Sequence, residues 1–265
     1  MKTDRAFPDP SYNWVVPALR EDGSPAVLKL SYPDDKEFIT EAAALAAFDG
    51  RGICRLLELD LDRGAMLLER LRPGTPLTVV PDDQDATTIA ASVMKNLWRP
   101  APPDHPFPTV ADWSRGFERL RRRFAGGTGP MPKHLVGEAE TLFADLLATQ
   151  GDPLLLHGDL HHQNVLASER TPWLAIDPKG VVGEAAYDTA ALLHNPVEAL
   201  NAQDPKGLIE GRLDVLSGEL GLDRGRIRAW GLAQAVLAAY WGLEDSGRVW
   251  EGALVFARLL QEIGD

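Results

Sequence analysis

The 265-residue chain contains one cysteine, Cys54. It can form no internal disulfide, and with no second thiol it supplies neither a zinc ribbon nor a redox pair, so it is expected to be a buried small hydrophobe. Long apolar runs are missing too. None approaches the roughly 18 residues a membrane helix needs, and the first thirty residues, with Asp4, Pro8, Asp9 and Pro10, lack a signal-peptide core. A cytoplasmic protein with no membrane partner is expected. Basic charge is scarce: 27 Lys and Arg against 39 Asp and Glu give a net charge of −12. That is a poor match for nucleic acid, and it favours cationic partners or simply solubility. The excess is spread along the chain, and the one basic run, Arg119 to Arg123, reads as a solvated helix face. No internal repeat and no G-x-G-x-x-G loop is present.

What is there begins with turn and strand signals. Asn13–Leu19 and Pro25–Leu30 flank Glu21-Asp22-Gly23-Ser24 and predict a hairpin. "DDKEFITEAAALAAFDG" predicts a helix over 35–48, with early acids, alanine-rich composition and a terminal glycine. Cys54–Leu59 and Ala65–Glu69 predict a second strand pair. Arg72-Pro73-Gly74 reads as a linker, after which helices are expected over 82–98, 109–124, 132–149, 184–194, 205–220 and, with breaks, 223–262. The class is α+β: a small β-rich lobe, residues 1–71, and a larger, mostly helical lobe, residues 72–265.

In the helical part, "LLLHGDLHHQNVLASERTPWLAIDPKG" carries the clear strand signals, Val165–Ala167 and Leu174–Ile176 around a turn near Arg170-Thr171. A hairpin with that centre sets Asn164 opposite Asp177. An amide and a carboxylate at its open end, five residues after Asp159, can converge on one Mg²⁺ and the phosphates it carries. A zinc reading competes, because His157 and His161 are four apart. Gly158 between them and the strand-like Leu154–Leu156 before them argue against the helix such ligands need. Histidines bonded to backbone in a tight loop are the better expectation.

"HGDLHHQN", followed thirteen residues after Asn164 by "IDPKG", resembles the catalytic loop and Mg²⁺ aspartate of the aminoglycoside phosphotransferases, nearest the streptomycin 6-phosphotransferase and hydroxyurea kinase group. "DPKGVVGEAAYDTAALLHNP" carries the likeness almost word by word, and it extends from about Trp14 to the C-terminus. The resemblance implies a two-lobed protein-kinase-like fold that holds ATP between the lobes. Asp159 would be the catalytic base at the acceptor hydroxyl, and Asn164 and Asp177 the Mg²⁺ ligands. Lys29, in the strand "AVLKL", would meet the ATP phosphates.

The partner for Lys29 follows from pattern. Glu41 falls three residues after Phe38 and four before Leu45, on the apolar stripe of its helix, where a carboxylate needs a cation; Glu37, one turn earlier, is the alternative. Glu69, Arg70 and Leu71 would form the adenine hinge, and Asp188 would brace the loop that contains His157. The short segment before the first strand leaves a phosphate-covering loop expected near Pro10–Trp14. For the acceptor, "WGLAQAVLAAYWGLEDSG" offers Trp230, Leu237 and Trp241 as a helical stripe ending in Glu244-Asp245, acids that oppose the helix dipole and could bind a cationic small molecule. The expected activity is an antibiotic-resistance kinase acting on streptomycin or a related aminocyclitol, as a monomer or weak dimer. Hydroxyurea, a sugar or an antibiotic-biosynthesis intermediate are the other acceptors weighed, and a catalytically weak nucleotide-binding protein is the reading from another class.

Overall fold

A computed structural model describes residues 2–3, 13–32 and 35–264. Its first part is a five-stranded antiparallel sheet of β1 (Lys2–Thr3), β2 (Trp14–Leu19), β3 (Pro25–Leu30), β4 (Leu56–Asp60) and β5 (Ala65–Glu69), ordered β1-β2-β3-β5-β4. The pair Lys2–Thr3 is a strand where none was expected, and it pairs with Ala18 and Leu19. The expected phosphate-covering loop lies mostly outside the described residues. Helix α1 (Lys36–Phe48) starts at Asp35, whose carboxylate accepts from Glu37 N–H, and it buries Phe38, Ala42, Leu45 and Phe48.

After Leu71 the chain does not run free, as the linker reading supposed. β6 (Pro73–Pro76) pairs with β9 (Val165–Ser168), which in turn pairs with β10 (Trp173–Ala175). Proline donates no ladder hydrogen bond, so such a strand hides in sequence and survives at a sheet edge. The intervening elements are α2 (Asp83–Leu97), β7 (Arg99–Pro100), α3 (Val110–Arg123), α4 (Lys133–Ala148) and β8 (Leu154–Leu156). β8 lies between β7 and β11 (Val181–Gly183) in a third small sheet. Helices α5 (Ala185–Asp188), α6 (Ala190–His194), α7 (Pro205–Leu220), α8 (Arg224–Ser246) and α9 (Glu251–Glu262) complete the helical part.

Helix ends lie close to the expected ones because their caps are local chemistry. Asp82, Asp204 and Asp223 accept from N–H groups of the first turn, Thr109 and Asp112 form a capping box, and Gly221 closes α7 in the left-handed region. α8 is the central helix, with Trp230, Val236, Leu237 and Tyr240 in the core. The main core runs continuously from Phe38 on α1 to Ile263. The two parts also touch through backbone: Cys54 N–H donates to Ala175 C=O and Ala175 N–H to Gly52 C=O, both at 2.9 Å. Cys54 itself is buried, and burial pushes its thiol above the usual range. Among the described residues no helix is long and apolar enough to cross a membrane.

Candidate active site

The segment from His157 to Asn164 is held by its neighbours almost atom by atom. Asp188, at the end of α5, accepts from His157 N–H at 3.1 Å, Gly158 N–H at 2.7 Å and the Trp98 indole N–H at 2.9 Å. The fully buried His157 ring makes two backbone contacts. Nε2 faces Ile176 C=O at 2.8 Å, and Nδ1 accepts from Asp159 N–H at 3.2 Å, which assigns the ring proton to Nε2. Burial lowers its pKa, so it stays neutral. Gly158 has φ +84°, and a Cβ there would stand 2.9 Å from the Trp113 ring, so both backbone and space demand glycine.

The three histidines do not converge. His161 turns its Nδ1 to Gln163 N–H and lines the cleft, whereas His162 is buried near Arg212. Burial pulls both down to about 4, and among the described residues no cluster of three or more His, Cys, Asp or Glu side chains could hold a metal ion.

The hairpin register differs from expectation by one residue. Ala167 pairs with Trp173, Leu166 with Leu174 and Val165 with Ala175, so Asn164 stands opposite Ile176, whose N–H donates to Asn164 C=O at 2.9 Å. A three-residue turn, Glu169 to Thr171, replaces the two-residue turn, and Ser168 N–H donates across it to Pro172 C=O. Such a slip sends the next side chain to the opposite face. Asp177 escapes that by leaving the strand: its φ is +60°, rare for a residue with a side chain, and its carboxylate reaches Lys29.

Lys29 is therefore shared. Its Nζ donates to both Glu41 oxygens at 2.7 Å and to Asp177 Oδ1. The alternative partner, Glu37, binds Lys179 instead, at 2.8 Å. Burial works against the Lys29 charge, but Glu41 and Asp177 outweigh it and hold the ammonium above its usual range. Glu41, also buried, is pushed up to about 7, chiefly by desolvation. Burial opposes ionisation of Asp177, and Lys29 and Lys179 overcome it, leaving its pKa low. One ammonium between two carboxylates leaves an excess of negative charge. Asn164, whose amide nitrogen is engaged with Asp159 C=O at 2.9 Å, and Asp177, bonded to Lys29, each offer a side-chain oxygen. This oxygen donor set, next to a carboxylate-rich pocket, suits a hard divalent cation such as Mg²⁺.

Asp159 stands at the wall of a cleft of about 1000 Å³ that lies to one side of this cluster. Its carboxylate opens to the cleft and faces His161 Nε2 at 3.8 Å. Burial raises its pKa to about 6, against the downward pull of His157 and Lys179.

Elsewhere in the cleft aromatic side chains accompany the acids, and several of the acids already have partners. Trp241 lines it, edge-on to Trp113 with ring centres 5.5 Å apart, and Trp250 and the buried Gln234 stand further along. Glu244 is in the lining, but Arg119 holds it at 2.8 Å through two N–H groups and Tyr240 donates its hydroxyl, also at 2.8 Å. These hydrogen bonds keep the Glu244 pKa low, and its charge is already matched. Asp112 likewise serves the α3 cap and lies 3.2 Å from Arg115. Asp245, at the cleft edge, is exposed. Trp230, by contrast, is fully buried and donates to Glu184.

At the hinge, Glu69 is a strut. Its N–H donates to Arg55 C=O at 2.8 Å, and its carboxylate accepts from Arg55 N–H and from Arg170. These bonds tie β5 to the β9–β10 turn, and the next residue but one, Leu71, is buried. Lys179, Trp113, Trp250 and Gln234 escaped the sequence reading: Lys179 is visible in "DPKG" but carries no periodic signal, and the others become neighbours only through packing of α3, α8 and α9.

Lys29 yields a stability prediction. Lys29→Ala would leave the buried Glu41 without its cation, beside Asp177, and should cost roughly 3 kcal/mol, read as a lower midpoint in urea unfolding. A variant as stable as wild type would mean that the pair contributes nothing to the fold.

A sheet-bearing part, a helical part, and a lysine–carboxylate cluster beside the cleft that Asp159 lines define a kinase-like phosphotransferase. The backbone superposes on a thermostable mutant of an aminoglycoside phosphotransferase, crystallised as a ternary complex with ADP and hygromycin B, with TM-score 0.70 at 14% identity, covering 98% of this chain and 92% of that one. The chain belongs to the aminoglycoside/hydroxyurea antibiotic resistance kinase family, whose sequence pattern matches residues 4–246. It is 38% identical over 244 residues to the hydroxyurea phosphotransferase of Kitasatospora aureofaciens, spanning 87% of this chain and 66% of that protein's length. To the streptomycin 6-kinase of Streptomyces griseus it is 35% identical over 248 residues, 92% of this chain and 80% of the relative.

Proposed function

We propose that the protein transfers the γ-phosphate of ATP, with Mg²⁺, to a hydroxyl of an aminoglycoside, streptomycin or a close aminocyclitol relative, and so inactivates the antibiotic. The observation that carries the reading is the shared Lys29: one ammonium joins Glu41 of α1 to Asp177 of the helical part, beside the loop that bears Asp159. In this reading Lys29 meets the nucleotide phosphates, Leu71 and its neighbours seat the adenine, and Asn164 and Asp177 hold Mg²⁺, which neutralises phosphate charge. Asp159 orients the acceptor hydroxyl. The hydroxyl oxygen bonds to the γ-phosphorus, the bond from that phosphorus to the β-phosphate oxygen breaks with its electron pair leaving on ADP, and the proton passes to the Asp159 carboxylate. Asp188 and His157 fix the loop so that this carboxylate is in place beforehand.

The size of the cleft favours an aminoglycoside over hydroxyurea. About 1000 Å³ on the acceptor side of Asp159 suits a multi-ring molecule, and hydroxyurea is a handful of atoms. With Glu244 engaged by Arg119, recognition of a cation falls on the faces of Trp113 and Trp241 and on the exposed Asp245. The test is an acceptor panel with ATP and Mg²⁺: streptomycin, hydroxyurea and a neutral sugar, with ADP release measured and products assigned by ³¹P NMR. Streptomycin-dependent ADP release and a phosphate monoester are expected. Turnover confined to hydroxyurea or the sugar would reassign the acceptor, and nucleotide binding with no turnover on any acceptor would leave a nucleotide-binding protein.

A further inference from the structure

Lys179 lines the cleft together with Asp159. Two residues beyond Asp177, its backbone N–H donates to His157 C=O at 2.8 Å, which fixes its Cα against the catalytic loop. Its Cβ would lie only 3.3 Å from a Cβ on Gly158, the residue before Asp159. The side chain runs into the cleft beside Asp159, and its charge helps pull the Asp159 pKa down. Lys29 and Lys179 thus flank Asp177, one on the side of Glu41 and the other on the side of the acceptor cleft.

The present partner of that ammonium is a weak holder. Glu37 is 72% exposed on the first turn of α1, and an ion pair so open to water is readily given up. Of the other cations lining the cleft, Arg119 is engaged by Glu244. Lys36 is exposed on α1. A phosphoryl group in flight spreads negative charge over its equatorial oxygens, and fixed donors aimed there lower the barrier.

We propose that Lys179 is a further catalytic residue, whose ammonium leaves Glu37 to hydrogen-bond the phosphoryl group as it moves from nucleotide to acceptor. The inference rests on the phosphotransferase reading above. No proton moves on Lys179: the hydroxyl proton goes to Asp159, the bonding pair to ADP, and the lysine stays charged throughout. The alternative is a clamp, in which Lys179 and Glu37 merely join the helical part to α1.

The two differ in what Glu37 does. Lys179→Met should lower kcat by roughly 10²–10³-fold, the loss seen when one donor to a developing oxyanion is removed, with the KM for ATP nearly unchanged. Glu37→Gln should leave kcat near wild type, the double variant should match Lys179→Met, and Lys179→Arg should recover part of the loss. A clamp predicts instead that Glu37→Gln is as damaging as Lys179→Met. The second measurement is calorimetric binding of Mg²⁺ with ADP and aluminium fluoride, a mimic of the group in flight, against Mg²⁺ with ADP alone. Lys179→Met should weaken the first and spare the second. Equal affinity of Lys179→Met and wild type for the fluoride complex, or Glu37→Gln reproducing the loss, overturns the proposal. A wild type that turns over streptomycin while Lys179→Met does so equally well rejects Lys179 alone. A wild type that binds no nucleotide rejects the phosphotransferase reading, and Lys179 with it.

Discussion

Asp159→Asn should reduce kcat by roughly 10²–10⁴-fold, the usual range for a positioned general base, with the KM for ATP close to wild type. Asparagine keeps the size of the side chain and removes the charge that accepts the proton, while the loop around it is held by Asp188 and His157, which the change does not touch. Burial sets the Asp159 pKa at about 6 in the protein alone, against an ordinary 3.8. The wild-type kcat/KM should therefore climb as pH rises through that region, and a Mg²⁺ ion beside Asp177 would move the climb lower. Stability carries the opposite sign. A carboxyl whose folded pKa is raised costs stability where it is ionised, fully above the folded value and not at all below the unfolded one. Asp159→Asn should thus melt slightly above wild type at pH 8, with the difference gone by pH 4. His161→Ala and His162→Ala should lose far less activity, and a zinc chelator should do nothing while Mg²⁺ is present. Loss of activity with either histidine or with the chelator, beside an active Asp159→Asn, would return the chemistry to the histidines.

How much of this was legible depended on the range of the interaction involved. Helices such as Asp83–Leu97 and Val110–Arg123 declare their ends because Asp82, Thr109 and Asp112 cap them within one turn. The Lys29–Glu41 contact was legible for a different reason: a carboxylate on an apolar stripe needs a cation, and one lysine in the facing strand could supply it. Register was not. The turn between β9 and β10 holds one residue more than a two-residue hairpin, and only the left-handed backbone of Asp177 brings its side chain back toward Lys29. Pro73–Pro76 and Val181–Gly183 are strands by virtue of distant partners, Val165–Ser168 and Leu154–Leu156, not by composition. The partner of Glu244 was hidden for the same reason, since Arg119 lies 125 positions away on α3. Lys179 was in plain sight, but nothing in "DPKG" says that Glu37 will be its partner.

Asp177→Ala should abolish turnover while the fold survives, and the geometry says why these separate. Removing the carboxylate takes away one of two oxygen ligands proposed for Mg²⁺, a loss of several kcal/mol of charge stabilisation, which at 1.36 kcal/mol per tenfold is about 10³-fold or more. Lys29 keeps Glu41 at 2.7 Å, so the buried cluster passes from one cation between two anions to a matched pair. That is the reverse of Lys29→Ala, which leaves the buried Glu41 without its cation, so the two variants should differ in unfolding midpoint. Alanine also inherits a φ of +60°, which costs strain of its own. Asp177→Asn controls for it, because asparagine tolerates the left-handed region and preserves shape. If strain caused the loss, asparagine would restore activity; if the missing anion caused it, asparagine would stay nearly as poor as alanine. Unchanged kinetics of Asp177→Ala at saturating Mg²⁺ would remove Asp177 from the metal site and leave it as no more than a second anchor for Lys29.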